Sequence, residues 1–115
     1  MFDNTADIRQ TRKRLNGKLF TSGVGAFRAF EDLEADALKD GALSQKHKEL
    51  IALGISMAER CFPCVEYHVG AAVEHGASRA EVLETAAVAV ALAGGVATWP
   101  ARYAIQLLDE LDVPK

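Results

Sequence analysis

The spacing of apolar residues predicts two helices in the first third of the chain. From Phe27 to Leu38, apolar side chains recur every three or four residues, the spacing of one helix face. We expect the acidic residues between them on the solvent side, namely Glu31, Asp32 and Asp36. The preceding segment, Thr5 to Leu19, predicts a helix whose basic cluster lies on a solvated face rather than at an anion site. That cluster consists of Arg12, Lys13 and Arg14.

Capping residues predict where the central helix begins. Ser44 is a good N-cap, and the helix it starts should run from Gln45 to about Glu59. Residues 50–58 are apolar almost all round. A segment with that pattern is typical of a central, buried helix.

Capping signals also mark the helices of the second half. Ser78 and Glu81 form a capping box, and Gly94-Gly95 ends the helix that follows. Thr98 and Pro100 start a final helix. No segment alternates as a strand does, so the chain is predicted to be all-α, a compact bundle of five or six helices.

The composition agrees with the all-α class and excludes one class of binding partner. The 115 residues correspond to one domain, 1–115, and include 20 alanines but only 7% aromatic residues, which favours closely packed helices. A domain of this size buries only about two-thirds of its unfolded surface, so oligomerisation is a plausible further source of stability. A net charge of −3 argues against nucleic acid as a partner.

No membrane or export segment is expected. Residues 1–10 carry Asp3, Asp7 and Arg9 and lack the apolar core of a signal peptide. The longest apolar run, Ala86 to Ala97, has 12 residues, whereas a membrane span needs about 20. We therefore expect a cytoplasmic protein, whose two cysteines are reactive or metal-binding rather than a structural disulfide.

Both cysteines lie in one Cys-x-x-Cys motif, Cys61 to Cys64, and His68 follows four residues later. Pro63 is suited to the first helical position, so a helix should start there and end near His75. At about 100° per residue, Cys64 and His68 share one face of it, next to an apolar stripe. The sulfurs and His68 should therefore border the core. The opposite face of this helix, away from the core, should carry Glu66, Gly70 and Glu74.

This arrangement suits dithiol redox chemistry. The unpaired N–H groups and positive dipole at a helix start favour the thiolate of Cys64 over the thiol. His68, one turn along, could exchange a proton with Cys64 directly or through a water. The spacing also allows one thiol to attack and the other, Cys61, to close a disulfide.

Other interpretations of these residues remain open. Zinc would need four ligands, and Cys61, Cys64 and His68 supply three, with His75 or Glu49 as a fourth. The cysteines could also be buried and inert. Glu49 is either a partly desolvated acid near the sulfurs or a surface carboxylate paired with lysine.

Some remaining residues have simpler expected positions. Glu59, two residues before the first cysteine, competes with Glu49 as the site carboxylate. His47 is expected in solvent, and Trp99 and Tyr103 as core or interface anchors.

The chain resembles the alkylhydroperoxidase D (AhpD)-like, carboxymuconolactone decarboxylase superfamily. The resemblance covers about residues 44–95 and is carried by Lys48–Leu53, Cys61–His68, His75–Ser78 and Glu81–Glu84. It implies an all-helical fold with the cysteine pair at the start of a helix. It also implies homo-oligomers, often trimers or hexamers.

The resemblance further implies a proton relay. Glu49 would polarise His68, which through a water would deprotonate Cys64. Cys64 would attack a small hydroperoxide and become a sulfenic acid, and Cys61 would condense with it. Some peroxidase members carry a histidine just before the second cysteine, where this chain has Pro63. General thiol–disulfide reductase activity is therefore expected more firmly than full peroxidase activity.

The resemblance implies a dithiol reductant such as a lipoylated or thioredoxin-like protein, and no bound cofactor or metal. Two other functions stay open. One is a cofactor-free carboxymuconolactone decarboxylase-like enzyme using His68 and Glu49 as acid and base, although that branch generally lacks the cysteine pair. The other is a non-catalytic oligomeric binding protein.

Overall fold

Six α-helices and one short 3-10 turn make up residues 5–115, the part of the chain that the computed structural model describes. The helices are α1 (Thr5–Phe20), α2 (Gly25–Leu38), α3 (Gln45–Ala58), α4 (Phe62–Glu74), α5 (Arg79–Ala93) and α6 (Thr98–Glu110), and the 3-10 turn is Gly95–Ala97. No strand occurs in residues 5–115, and the predicted all-α class is confirmed. Residues 1–4, the first part of the stretch predicted to lack an export signal, lie outside the described residues.

The helix ends lie where the capping residues predicted them. The hydroxyl of Ser44 accepts the N–H of His47 at 3.2 Å. Ser78 and Glu81 form the reciprocal capping box, at 3.1 Å and 2.9 Å. Gly94 follows α5 with a φ of +85°, a left-handed conformation that glycine adopts at little cost. Local sequence thus determines these boundaries.

The hydrophobic core lies between α3, α4, α5 and α6. Its largest fully buried apolar members are Leu53, Met57, Val65, Val69, Val82, Tyr103, Leu107 and Leu108. Small residues such as Ala72 and Ala104 are also fully buried there, which lets the helices approach closely. Only residues 59–61 connect α3 to α4, so these two helices are held against each other.

Two predicted apolar faces are not covered by this chain. α2 has no buried residue, and Leu33 on it is 65% exposed. The expectation that α3 is buried all round is wrong, since Ile51 and Ile55 are 51% and 60% exposed. The reason is geometric: α3 packs mainly against α4 and α5, and Ile51 and Ile55 lie on a part of its surface that residues 5–115 leave exposed.

The two aromatic residues of α6 have different environments. Tyr103 is in the core, as predicted, and its ring meets the ring of Phe62 edge-on at 5.6 Å. Trp99 is more than half exposed, and the guanidinium of Arg102 lies over its ring at 4.6 Å. Trp99 is therefore not an anchor of this chain's own core.

None of the helices in residues 5–115 combines the length and the apolar content needed to cross a membrane.

Candidate functional site

The two cysteines lie at the start of α4, as predicted, and are joined as a disulfide. Cys61 is the N-cap residue and Cys64 lies in the first turn, with 5.2 Å between their Cα atoms. The backbone N–H of Cys61 donates to the carbonyl of Ser56 in α3 at 3.0 Å. Arg60 has a φ of +56°, which reverses the chain between the two helices. The tight α3–α4 connection therefore places the sulfurs beside the end of α3.

A buried carboxylate contacts the histidine of the motif. Oε2 of Glu49 lies 2.7 Å from Nδ1 of His68. The side chain of Glu49 is 1% exposed and that of His68 is 12% exposed. An ionised carboxylate can only accept a hydrogen bond, so Nδ1–H donates and Nε2 is left as the basic nitrogen. Glu59, the rival carboxylate, is exposed at the C-cap of α3, so Glu49 is the acid next to His68.

An open cavity of about 630 Å³ borders Cys64 and His68. α4 forms its floor with these two residues, Pro63 and Tyr67, while α3 contributes Glu49. The facing walls belong to α1 and α2, which supply Arg12, Asn16, Phe20, Phe30, Glu31, Glu34, Ala35 and Leu38. One sulfur and the imidazole thus face a space that a small molecule can enter.

Glu31 lies on the solvent side of its helix, as predicted, and also lines the open cavity. Glu34 lines the same cavity, whereas Leu33 is 65% exposed and is not in the lining.

A second buried carboxylate fastens α1 to α4. Glu66, predicted to face solvent, is 3% exposed and forms ion pairs with Arg9 and Arg12 of α1. Nη2 of Arg12 lies 3.0 Å from Oε2 of Glu66, and the Arg12 guanidinium lies 4.8 Å from the centre of the Tyr67 ring. The predictions of a solvated face for Arg12 and for Glu66 are therefore both wrong. The one available signal was the spacing of Arg9 and Arg12, which puts two cations on one face of α1.

Tyr67 links this ion cluster to the histidine. Its ring meets the ring of His68 edge-on, with 5.0 Å between their centres. Burial raises the pKa of Tyr67, and the negative charges of Glu49 and Glu34 raise it further, while Arg12 acts in the opposite direction. Sequence reasoning assigned no role to this residue.

The other histidines lie away from this site. His47 is exposed and bonds to Ser44, as predicted for a solvent-facing residue, and His75 is the exposed C-cap of α4. In residues 5–115 no group of three or more His, Cys, Asp or Glu side chains is placed to hold a metal ion. Neither the zinc set that uses His75 nor the one that uses Glu49 is therefore assembled here.

Comparisons with known proteins give a consistent result. A model of the carboxymuconolactone decarboxylase family matches residues 25–109. An uncharacterised protein of Cupriavidus necator is 30% identical over 111 residues, covering 94% of this chain and 98% of its own length. Uncharacterised protein 4 in the cox locus of Paracoccus denitrificans is 33% identical over 96 residues, covering 84% of this chain and 86% of the relative.

Solved structures share the fold over nearly the whole chain. A carboxymuconolactone decarboxylase family protein of Legionella pneumophila has a TM-score of 0.87 and 32% identity, covering 94% of this chain and 96% of that one. A Thermotoga maritima family member, described with a possible involvement in an antioxidative response, has a TM-score of 0.84 and 31% identity. Coverage there is 92% of this chain and 90% of that chain.

Proposed function

The chain belongs to the carboxymuconolactone decarboxylase family, and on that premise we propose that it is a dithiol oxidoreductase that reduces small hydroperoxides or disulfides. The observation that carries the proposal is the shared cavity of Cys64 and His68, with His68 held by the buried Glu49. An antioxidative description of one structural neighbour supports the same reaction class.

In the first step, Nε2 of His68 accepts the thiol proton of Cys64, directly or through a water. Glu49 stabilises the imidazolium that forms, since it already accepts the Nδ1 proton. The thiolate attacks one oxygen of the hydroperoxide, a sulfur–oxygen bond forms and the oxygen–oxygen bond breaks. His68 returns the proton to the leaving alkoxide, which gives an alcohol and a sulfenic acid on Cys64.

In the second step, the thiol of Cys61 attacks the sulfenic sulfur and water leaves. The product is the Cys61–Cys64 disulfide, the state in which the pair is found. A dithiol donor, such as a lipoylated or thioredoxin-like protein, then reduces the pair and itself becomes a disulfide. Pro63 replaces the histidine that some peroxidase members carry here, so His68 serves as the proton carrier for both sulfurs. We place this cycle in the cytoplasm, where thiols are kept reduced.

The decisive experiment follows the mass of the reduced protein after one equivalent of hydroperoxide. We expect a loss of about 2 Da, which corresponds to two hydrogens and one intramolecular disulfide. The Cys61→Ser variant should instead gain about 16 Da, the mass of one oxygen, because its sulfenic acid on Cys64 has no resolving thiol. The Cys64→Ser variant should remain unchanged and should consume no peroxide.

Other outcomes would favour another function. If Cys64→Ser consumed peroxide at the normal rate, the proposal would fail. If blocked cysteines left turnover of a lactone acid intact, His68 and Glu49 would be the acid and base of a decarboxylase. If the reduced cysteines resisted thiol reagents in the native protein, a non-catalytic binding role would be favoured.

The proposal includes a homo-oligomer, with a trimer or hexamer expected. The supporting observation is a set of large apolar side chains that are about half or more exposed: Leu33, Ile51, Ile55, Val88, Leu92, Val96 and Trp99. Large apolar side chains left exposed to solvent are typical of surfaces at which proteins associate. Light scattering on the purified protein measures the subunit number, and a monomer at micromolar concentration would remove this part of the proposal.

A further inference from the structure

The wall opposite Cys64 carries negative charge that has no partner. Glu31 and Glu34 of α2 both line the cavity, and neither forms an ion pair or side-chain hydrogen bond within residues 5–115. The two cations of the lining are already engaged. Arg12 is bonded to Glu66, and Lys39 lies 2.6 Å from its neighbour on α2, Asp36.

The charge balance around the cavity is therefore negative. The lining has three carboxylates, Glu31, Glu34 and Glu49, against two cations, Arg12 and Lys39, and each cation is paired with a carboxylate outside the lining. Lys48 lies beside the lining and donates to the backbone carbonyl of Lys39.

We infer that Glu31 and Glu34 select the oxidant by its charge, so that neutral or cationic disulfides and hydroperoxides react with Cys64 faster than anionic ones. This rests on the proposed function, because the charge matters only if an oxidant must reach Cys64. An incoming carboxylate would have to approach two unpaired carboxylates at short range, whereas an ammonium group would be attracted. The same field opposes anionic thiol donors such as glutathione.

The expected size follows from screened Coulomb interaction. A unit charge about one Debye length away, in surroundings close to water, changes an encounter rate by roughly 1.3-fold. This factor enters about four times when two carboxylates are removed and oxidants of opposite sign are compared, and about eight times when those oxidants are doubly charged. Removing both carboxylates should therefore change the preference for a cationic over an anionic oxidant by about three- to tenfold. The effect should shrink as salt is added, because Glu31 and Glu34 lie in an open part of the cavity.

Three disulfides of similar size test the inference: cystamine is dicationic, 2-hydroxyethyl disulfide is neutral, and 3,3′-dithiodipropionate is dianionic. In each reaction the Cys64 thiolate displaces one thiolate from the disulfide. Cys61 then displaces the second, which leaves the protein disulfide and two small thiols. Stopped-flow measurement on the reduced protein gives each rate. Division by the rate of dithiothreitol with the same disulfide removes differences in intrinsic reactivity.

We expect the normalised rates to fall in the order cationic, neutral, anionic. The ratio of the first to the last should fall three- to tenfold in the Glu31→Gln/Glu34→Gln variant. Glu84→Gln is the matched control, because Glu84 is an exposed glutamate of α5 outside the cavity lining. That variant should keep the ratio of the unmodified protein.

Two kinds of failure are distinguishable. If all three disulfides react with Cys64 at equal normalised rates, or if the double variant keeps the preference, the charge selection is refuted and the proposed function stands. If none of the three oxidises the reduced pair and hydroperoxide also leaves its mass unchanged, the proposed function itself fails.

Discussion

Replacing Glu66 by glutamine is expected to destabilise the protein strongly, although Glu66 lies outside the proposed reaction. Its side chain is 2% exposed and accepts hydrogen bonds from Arg9 and Arg12, which are 39% and 17% exposed. Removing one partner of a fully buried ion pair costs about 3–5 kcal/mol. Both arginines keep contact with water and an amide oxygen can still accept one bond, so we expect about 2 kcal/mol.

Urea denaturation of the oxidised protein, at one fixed protein concentration, measures this loss as a change in the free energy of unfolding. Glu84→Gln removes the same charge at an exposed position and should stay within about 0.5 kcal/mol of the unmodified protein. Arg12→Gln and the double variant complete a cycle that isolates the coupling of Arg12 to Glu66. A loss below about 0.5 kcal/mol in Glu66→Gln would refute the reasoning that this carboxylate fastens α1 to α4.

Three further changes have defined outcomes. Glu49→Gln should slow alkylation of the reduced Cys64 by iodoacetamide about three- to tenfold at neutral pH, because the amide stabilises the imidazolium less. Ser78→Ala should lower the free energy of unfolding by about 1 kcal/mol through loss of the α5 cap. Tyr103→Phe should reduce the loss of stability between about pH 10 and 12. Burial raises the pKa of Tyr103 to about 12, so the phenol ionises first in the unfolded chain and stability falls as pH rises.

Each of these outcomes has a control. Glu59→Gln removes an exposed carboxylate near the cysteines and should leave the alkylation rate unchanged; equal slowing in both variants would exclude a relay through Glu49. Ser22→Ala removes an exposed hydroxyl that accepts only a long bond, 3.4 Å, from the N–H of Val24, so its loss of stability should be smaller than that of Ser78→Ala. An equal loss in the two variants would count against the capping argument. Persistence of the full alkaline transition in Tyr103→Phe would assign it to another group.

The features predicted correctly from sequence are those that depend on neighbouring residues. Ser44 and Ser78 cap helices with N–H groups three residues away. The cysteine pair and His68 lie within one turn or two of the same helix. Helical spacing alone places such groups on a common face, whichever elements pack around them.

The features that were missed depend on contacts between distant segments. Glu66 meets Arg9 and Arg12 across 57 and 54 residues of chain, and helical spacing on α4 carries no information about α1. The sequence could not decide between Glu49 and Glu59 for the same reason, because periodicity within α3 does not say which of its residues faces α4. Exposure of Ile51 and Ile55 was missed because an apolar side chain looks the same in sequence whether its own chain or another copy covers it.

The groups proposed to carry the chemistry, from Glu49 to His68, occupy one pair of consecutive helices, whereas most of the opposing cavity wall comes from α1 and α2. Evolution can therefore treat the two parts as separate modules. Substitutions on α1 and α2 would change which molecules enter the cavity. They would leave the reacting groups, from Glu49 to His68, unchanged. Among related proteins, the set of oxidants that enter the cavity should therefore diverge faster than the reaction itself.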